Sequence, residues 1–133
     1  MLGLVRQEES LSRYILDRSY IRVADRTVRY NAFMPTSNGE VSVFRILGLA
    51  DSEIWEMGNL QVARKRGKPL LGRADILVMA VIKNNLQIDP DNDPPRHANI
   101  LGWPEQRSEQ KLIALKMAAD SQLHLRKDFN LLA

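Results

Sequence analysis

The stretch Asp89-Pro90-Asp91-Asn92-Asp93-Pro94-Pro95 places three prolines in seven residues, and proline lacks the N–H that a helix interior or a central strand must donate. The chain has to leave regular structure there and cross the surface as a loop. The chain has 133 residues, 44% hydrophobic and 26% charged, which is enough for one core and too little for two typical domains. It holds no cysteine, so disulfides, thiolate catalysis, Cys-ligated zinc and iron–sulfur clusters are excluded.

Upstream of the break, residues 1–12 read as a polar lead-in, mobile and without an assigned role. Tyr20-Ile21-Arg22-Val23 and Thr27 to Phe33 alternate β-branched or aromatic residues with polar ones, as strands with one wet face do. Ala24-Asp25-Arg26 suits the hairpin between them. Ser37-Asn38-Gly39 tolerates positive φ, and Val41 to Ile46 resumes the alternation, so three antiparallel strands are expected. Asp51 is placed to cap a helix running towards Arg66, weakened at Gly58-Asn59. Residues 73–84 read as a helix more than as a strand, because Asn84-Asn85-Leu86 looks like a left-handed helix exit with Leu86 folding back; Leu86-Gln87-Ile88 would follow as a short strand.

Beyond the break, Arg96 to Pro104 reads as a brief extended segment. Ser108 to about Arg126 reads as an amphipathic helix, with Leu112, Leu115, Ala119 and Leu123 as its apolar stripe and Ile113 and Met117 widening it. The predicted fold is a single α+β domain over 1–133: an antiparallel sheet packed against two or three helices, the last one closing the core.

Nineteen Lys and Arg against sixteen Asp and Glu leave a net charge of +3, spread too evenly to mark a polycationic face. The dense run Arg64, Lys65, Arg66 and Lys68 could touch phosphates or a partner's acidic patch, although the plainer reading is the solvated end of a helix. The longest apolar run, Ile76 to Ile82, is too short to span a membrane, and no signal-peptide core follows Met1, so the cytoplasm is the expected location. No P-loop and no Gly-x-Ser-x-Gly elbow occurs.

Besides that run, two constellations could carry chemistry, and one acidic spacing is weighed as a metal site. Arg96-His97-Ala98-Asn99 with Trp103 offers an imidazole that titrates near neutrality, a cation for phosphate or carboxylate, and an orienting amide; the plainer reading is loop fastening and a core anchor. Arg22, Arg29 and Arg45 would form a basic sheet surface if their register aligned them. Arg45 lies in the most apolar strand and calls for a buried partner such as Glu53. Asp89, Asp91 and Asp93 are spaced like calcium ligands, but the prolines and the missing closing Glu make them turn formers and solvated charge. With only two histidines, His97 and His124, no metal site is expected and no cofactor is called for.

The leading expectation is a non-catalytic binding or interaction module contacting its ligand near Arg45, Arg96, His97, Asn99 and Trp103. A protein partner or self-association is preferred, nucleic acid is weakly supported, and no membrane is involved. The alternative is a small metal-independent nuclease or phosphate-transferring enzyme, with His97 as acid and base and Arg96 or Arg45 stabilising phosphate.

Overall fold

Residues 2–128 are described by a computed structural model of the chain. Its strands are β1 (Ser10–Ile15), β2 (Ile21–Arg22), β3 (Thr27–Val28), β4 (Val41–Arg45), β5 (Gly72–Leu77), β6 (Gln87–Asp89), β7 (His97–Leu101) and β8 (Gln122–Leu125). The helices are α1 (Asp51–Gly58), α2 (Arg64–Arg66), α3 (Val78–Ile82) and α4 (Arg107–Asp120), with single 3-10 turns at Arg18–Tyr20 and Tyr30–Phe33. Six strands form one sheet in the order β6-β7-β4-β1-β5-β8, and each neighbouring pair is antiparallel. Together they make the expected α+β domain. Among the described residues no helix is long and apolar enough to cross a membrane.

Strand alternation divides the sheet into two unlike faces. One carries Leu11, Ile15, Val41, Val43, Ala74, Ile76, Ala98 and Ile100, and it packs with Ala114, Met117 and Ala118 of α4 and Val78 and Val81 of α3 into the main core. The register puts Ser12, Tyr14, Ser42, Phe44, Arg73, Asp75, His97 and Asn99 on the other face. There Tyr14 and Phe44 meet Ile54 of α1, Ala63 and Leu70 in a smaller cluster. Six of the eight residues named on this second face are polar or charged, and it is where chemistry-bearing side chains gather.

The helix over this face runs on through Gly58-Asn59 by widening, with a π-helical stretch at Asn59–Ala63 between α1 and α2. Gly58 is required there for a steric reason: a Cβ at this position would overlap the Tyr14 ring. Tyr14 also donates its hydroxyl to the Ile54 carbonyl at 2.6 Å. Glycine thus lets the helix lie directly on the ring.

The structure corrects several expectations. Residues 10–12 are not lead-in, because β1 is an inner strand of the sheet, between β4 and β5. The segment 20–33 forms only the two-residue ladder of β2 and β3, outside the main sheet, and Tyr30–Phe33 coils into a 3-10 turn that buries Ala32 and Phe33. Residues 72–77 are strand and 78–82 helix. The predicted exit is present, with Asn85 left-handed at φ 63° and Leu86 buried, but no proline or glycine marks the change from strand to helix.

α4 ends at Asp120, and 122–125 form the edge strand β8, so His124 lies on a strand. Its buried face is Ala114, Met117 and Ala118, while Leu112 and Leu115 of the expected stripe are 61% and 45% exposed. Small alanines let the helix approach the sheet. Arg22 and Arg29 are exposed in the hairpin segment and Arg45 is buried in β4, so the three share no surface. The partner of Arg45 is Glu9, at 2.8 Å, and Glu53 instead accepts the Ala50 N–H at 2.9 Å at the start of α1. Ala50 stands at the cap position, which frees Asp51 to bind Arg73 at 2.7 Å.

Candidate functional site

β4 and β7 position the site through their alternation. Val41, Val43, Ala98 and Ile100 enter the main core, which turns Ser42 and Phe44, and His97 and Asn99, towards the polar face. Register pairs Ser42 with Asn99 and Phe44 with His97. Ser42 Oγ nevertheless lies 2.6 Å from His97 Nε2, across the diagonal of this group.

The proline-rich loop supplies the third member. It folds back on the start of β7: the Asn92 N–H reaches the His97 carbonyl at 3.1 Å, and the His97 N–H reaches the Pro94 carbonyl at 3.0 Å. Left-handed residues at Asn92 and Arg96 allow the reversal. Asp91 is thereby aimed at the imidazole, with Oδ1 2.7 Å from His97 Nδ1 and Oδ2 accepting the Asn99 amide at 3.1 Å. Asp91 is therefore a structural partner of His97 as well as a turn former. Partial burial raises its pKa, but the bonds from His97, the Asp93 amide and Asn99 outweigh that and hold it below the usual aspartate range.

An ionised carboxylate can only accept, so Nδ1 of His97 carries a hydrogen. In the neutral ring Nε2 then offers its lone pair, and the Ser42 hydroxyl donates to it. Phe44 places its ring edge-on to the imidazole, 5.3 Å between centroids, and fixes the plane. The result is a serine, histidine and aspartate in series, each side chain oriented by the next.

Ser42 and His97 open into a cavity of about 260 Å³ between the sheet and the α1–α2 helix. Tyr14 and Phe44 form its apolar part, Pro94 closes one side, and Arg13, Lys65 and Arg66 bring positive charge. Arg13 sits where β1 and β4 pair over only two residues; its guanidinium bonds the Ala32 carbonyl at 2.9 Å and the Ser42 carbonyl at 3.0 Å. Burial holds its pKa below the ordinary arginine value, and the charge of nearby Arg66 adds to this while Tyr20 opposes it. Lys65 and Arg66 form the last helical turn before left-handed Gly67, and neither has a carboxylate within 4 Å among the described residues. The basic run at this helix end thus contributes two cations to the cavity.

Of the candidate residues named from sequence, the structure brings His97 and Asn99 together and leaves three elsewhere. Arg45 lies on the opposite face from His97 and spends its guanidinium on Glu9 and the Leu4 carbonyl. Arg96 donates to the carbonyls of Arg45 and Leu47, and Trp103 donates its indole N–H to the Ile100 carbonyl at 3.0 Å while packing against the main core. Ser42, Asp91 and Arg13 were not singled out as members of the site. Their one trace is a polar residue between two valines at Ser42, and Asp91 cannot be told from Asp89 or Asp93 without the fold.

A second polar group lies at the far side of Tyr14. Arg73 is buried beneath Trp55, 4.5 Å from the ring centroid, and bridges Asp51 and Asp75. His124 stands 3.5 Å from the same Asp75. Among the described residues no group of three His, Asp or Glu side chains converges as a metal site. No protein-family model, curated protein or solved structure matches this chain.

Proposed function

We propose that the protein is a metal-independent enzyme acting on phosphate esters, with Ser42 as nucleophile, His97 as general base and acid, and Asp91 as the group that orients the imidazole. What carries this reading is the series Ser42–His97–Asp91 opening into a cavity with three cations. His97 takes the hydroxyl proton as Ser42 Oγ attacks phosphorus. The bond from phosphorus to the leaving oxygen breaks, and that oxygen takes the proton back from His97. Water then gives a proton to His97 and attacks phospho-Ser42; the P–O bond to serine breaks, the serine oxygen recovers the proton, and phosphate leaves. Arg13, Lys65 and Arg66 offset charge on the non-bridging oxygens throughout.

Hydrolysis of p-nitrophenyl phosphate and bis(p-nitrophenyl) phosphate in EDTA tests this reading, together with intact-mass detection of phosphoserine after rapid quench. Turnover by the native chain is expected, with loss of about a thousandfold or more in Ser42→Ala and His97→Ala. Turnover that survives both substitutions overturns the assignment. Saturable binding of inorganic phosphate without turnover of either ester makes the chain a non-catalytic binding module.

A further inference from the structure

The sheet edge at β8 is separated from β4 and Ser42 by β1 and β5. β8 is the terminal strand, paired only with β5. The Arg126 N–H donates to the Leu71 carbonyl at 3.0 Å, which sets the phase of this ladder. Hydrogen-bonded pairs alternate in an antiparallel ladder, so Arg73 bonds His124 and Asp75 bonds Gln122, while the main-chain groups of Leu123 and Leu125 point outward. No hydrogen bond reaches those outward groups among the described residues. An edge of this kind is a template for another strand.

Two clefts border this edge and share Arg26 and Leu123. One, of about 770 Å³, lies between the β2–β3 hairpin and the end of α4, with Arg22, Arg29 and Leu115 in its walls. The other, of about 370 Å³, continues past Trp55 and His124 to Lys127. Among the described residues lining the two clefts, the only carboxylates are Asp25, 4.0 Å from Arg22, and Asp51, already bonded to Arg73. Arg26 is held at the junction by a left-handed backbone, φ 56°, that arginine rarely adopts.

We propose that the outer edge of β8 takes an extended acidic segment of a partner protein as an added strand. Main-chain bonds to Leu123 and Leu125 would hold the segment, its carboxylates would point to the α4 side and meet Arg22, Arg26 and Arg29, and its apolar side chains would point to the α1 side and rest on Trp55. A second copy of this chain is a poor occupant, because it brings the same cations to the same groove. A nucleic-acid strand matches the charge but has no amide ladder to offer the edge.

Fluorescence anisotropy with the whole protein tests this, using a labelled eight-residue peptide of alternating Glu and Val. The probe is compared with two versions N-methylated at alternate amides in opposite phases, with a Lys-Val analogue, and with a single-stranded oligonucleotide. The acidic peptide is expected to bind, methylation in one phase to weaken it at least about tenfold, the other phase to have little effect, and the Lys-Val peptide to fail. Arg26→Glu, an exposed substitution monitored by its thermal midpoint, is expected to weaken binding about tenfold. Equal binding of the two methylated peptides removes the strand addition. Tighter binding of the oligonucleotide, or a dimer in sedimentation that excludes the peptide, replaces the proposed occupant.

Discussion

Ser42 and His97 are not cross-strand partners, yet their side chains meet at 2.6 Å, because β4 and β7 present them diagonally on the same face. The contact depends on how the imidazole is turned, and that is set by Asp91 on the other ring nitrogen. Asp91→Asn would keep the shape but could present its amide nitrogen to Nδ1, favouring the tautomer in which Nε2 carries the hydrogen. Activity on phosphate esters is then expected to fall by about two to four orders of magnitude, with the thermal midpoint little changed. Steady-state kinetics beside a melting curve separate this from unfolding.

Gly58→Ala sets two effects against each other. Alanine gains about 1 kcal/mol of helix propensity over glycine, but its methyl would overlap the Tyr14 ring. Overpacking of this kind costs about 1–3 kcal/mol, so the net expectation is a fall in the thermal midpoint. In a Tyr14→Leu background the same substitution should become neutral or stabilising, and a double-mutant cycle measures the difference.

The elements that sequence reading located correctly are those with local signals. Asn85 and Leu86 end α3 as expected, the prolines of 90–95 form a loop, and α4 begins within a residue of its expected start. The losses come from tertiary context. β1 reads Ser-Leu-Ser-Arg-Tyr-Ile, and since both of its faces are covered, Leu11, Tyr14 and Ile15 all count as core and the alternation disappears. β5 hides Arg73 and Asp75 inside a strand, because Asp51 and Trp55 are brought to them from α1. For the site, His97 and Asn99 could be picked out by residue type. Ser42 lies 55 positions from His97, a separation closed only by sheet register.

Glu9 and Arg45 form the most deeply buried ion pair, bonded through two contacts of 2.8 and 3.0 Å. Burial raises the Glu9 pKa, but Arg45 and the Arg6 amide outweigh it and bring the carboxyl below its ordinary value. The unfolded chain then binds this proton at a higher pH than the folded one. The contribution to stability is fully present above the unfolded value, about 4.3, and is lost as pH falls through the lower folded value. Glu9→Gln leaves the Arg45 charge buried without its counter-ion, an expected loss of about 3–5 kcal/mol. Urea titration at pH 7 and at successively lower pH checks both statements: the cost of the substitution should shrink as pH falls below the unfolded value, where the unfolded carboxyl takes up its proton before the folded one.

The orientation of α4 gives the last expectation, because sequence periodicity puts Leu112 and Leu115 at the centre of the core face, with Ile113 and Met117 only widening it, and the structure leaves both leucines exposed. Leu112 is mostly exposed and Met117 fully buried. Leu112→Lys should therefore change stability by no more than about 0.5 kcal/mol, as surface substitutions do. Met117→Ala opens a cavity between α4 and the sheet and should cost about 2–5 kcal/mol. Chemical denaturation of the two variants decides which face is the core. If the lysine is the damaging change, the helix is turned the other way, and Ala114 and Ala118 cannot be the residues that let it sit close to the sheet.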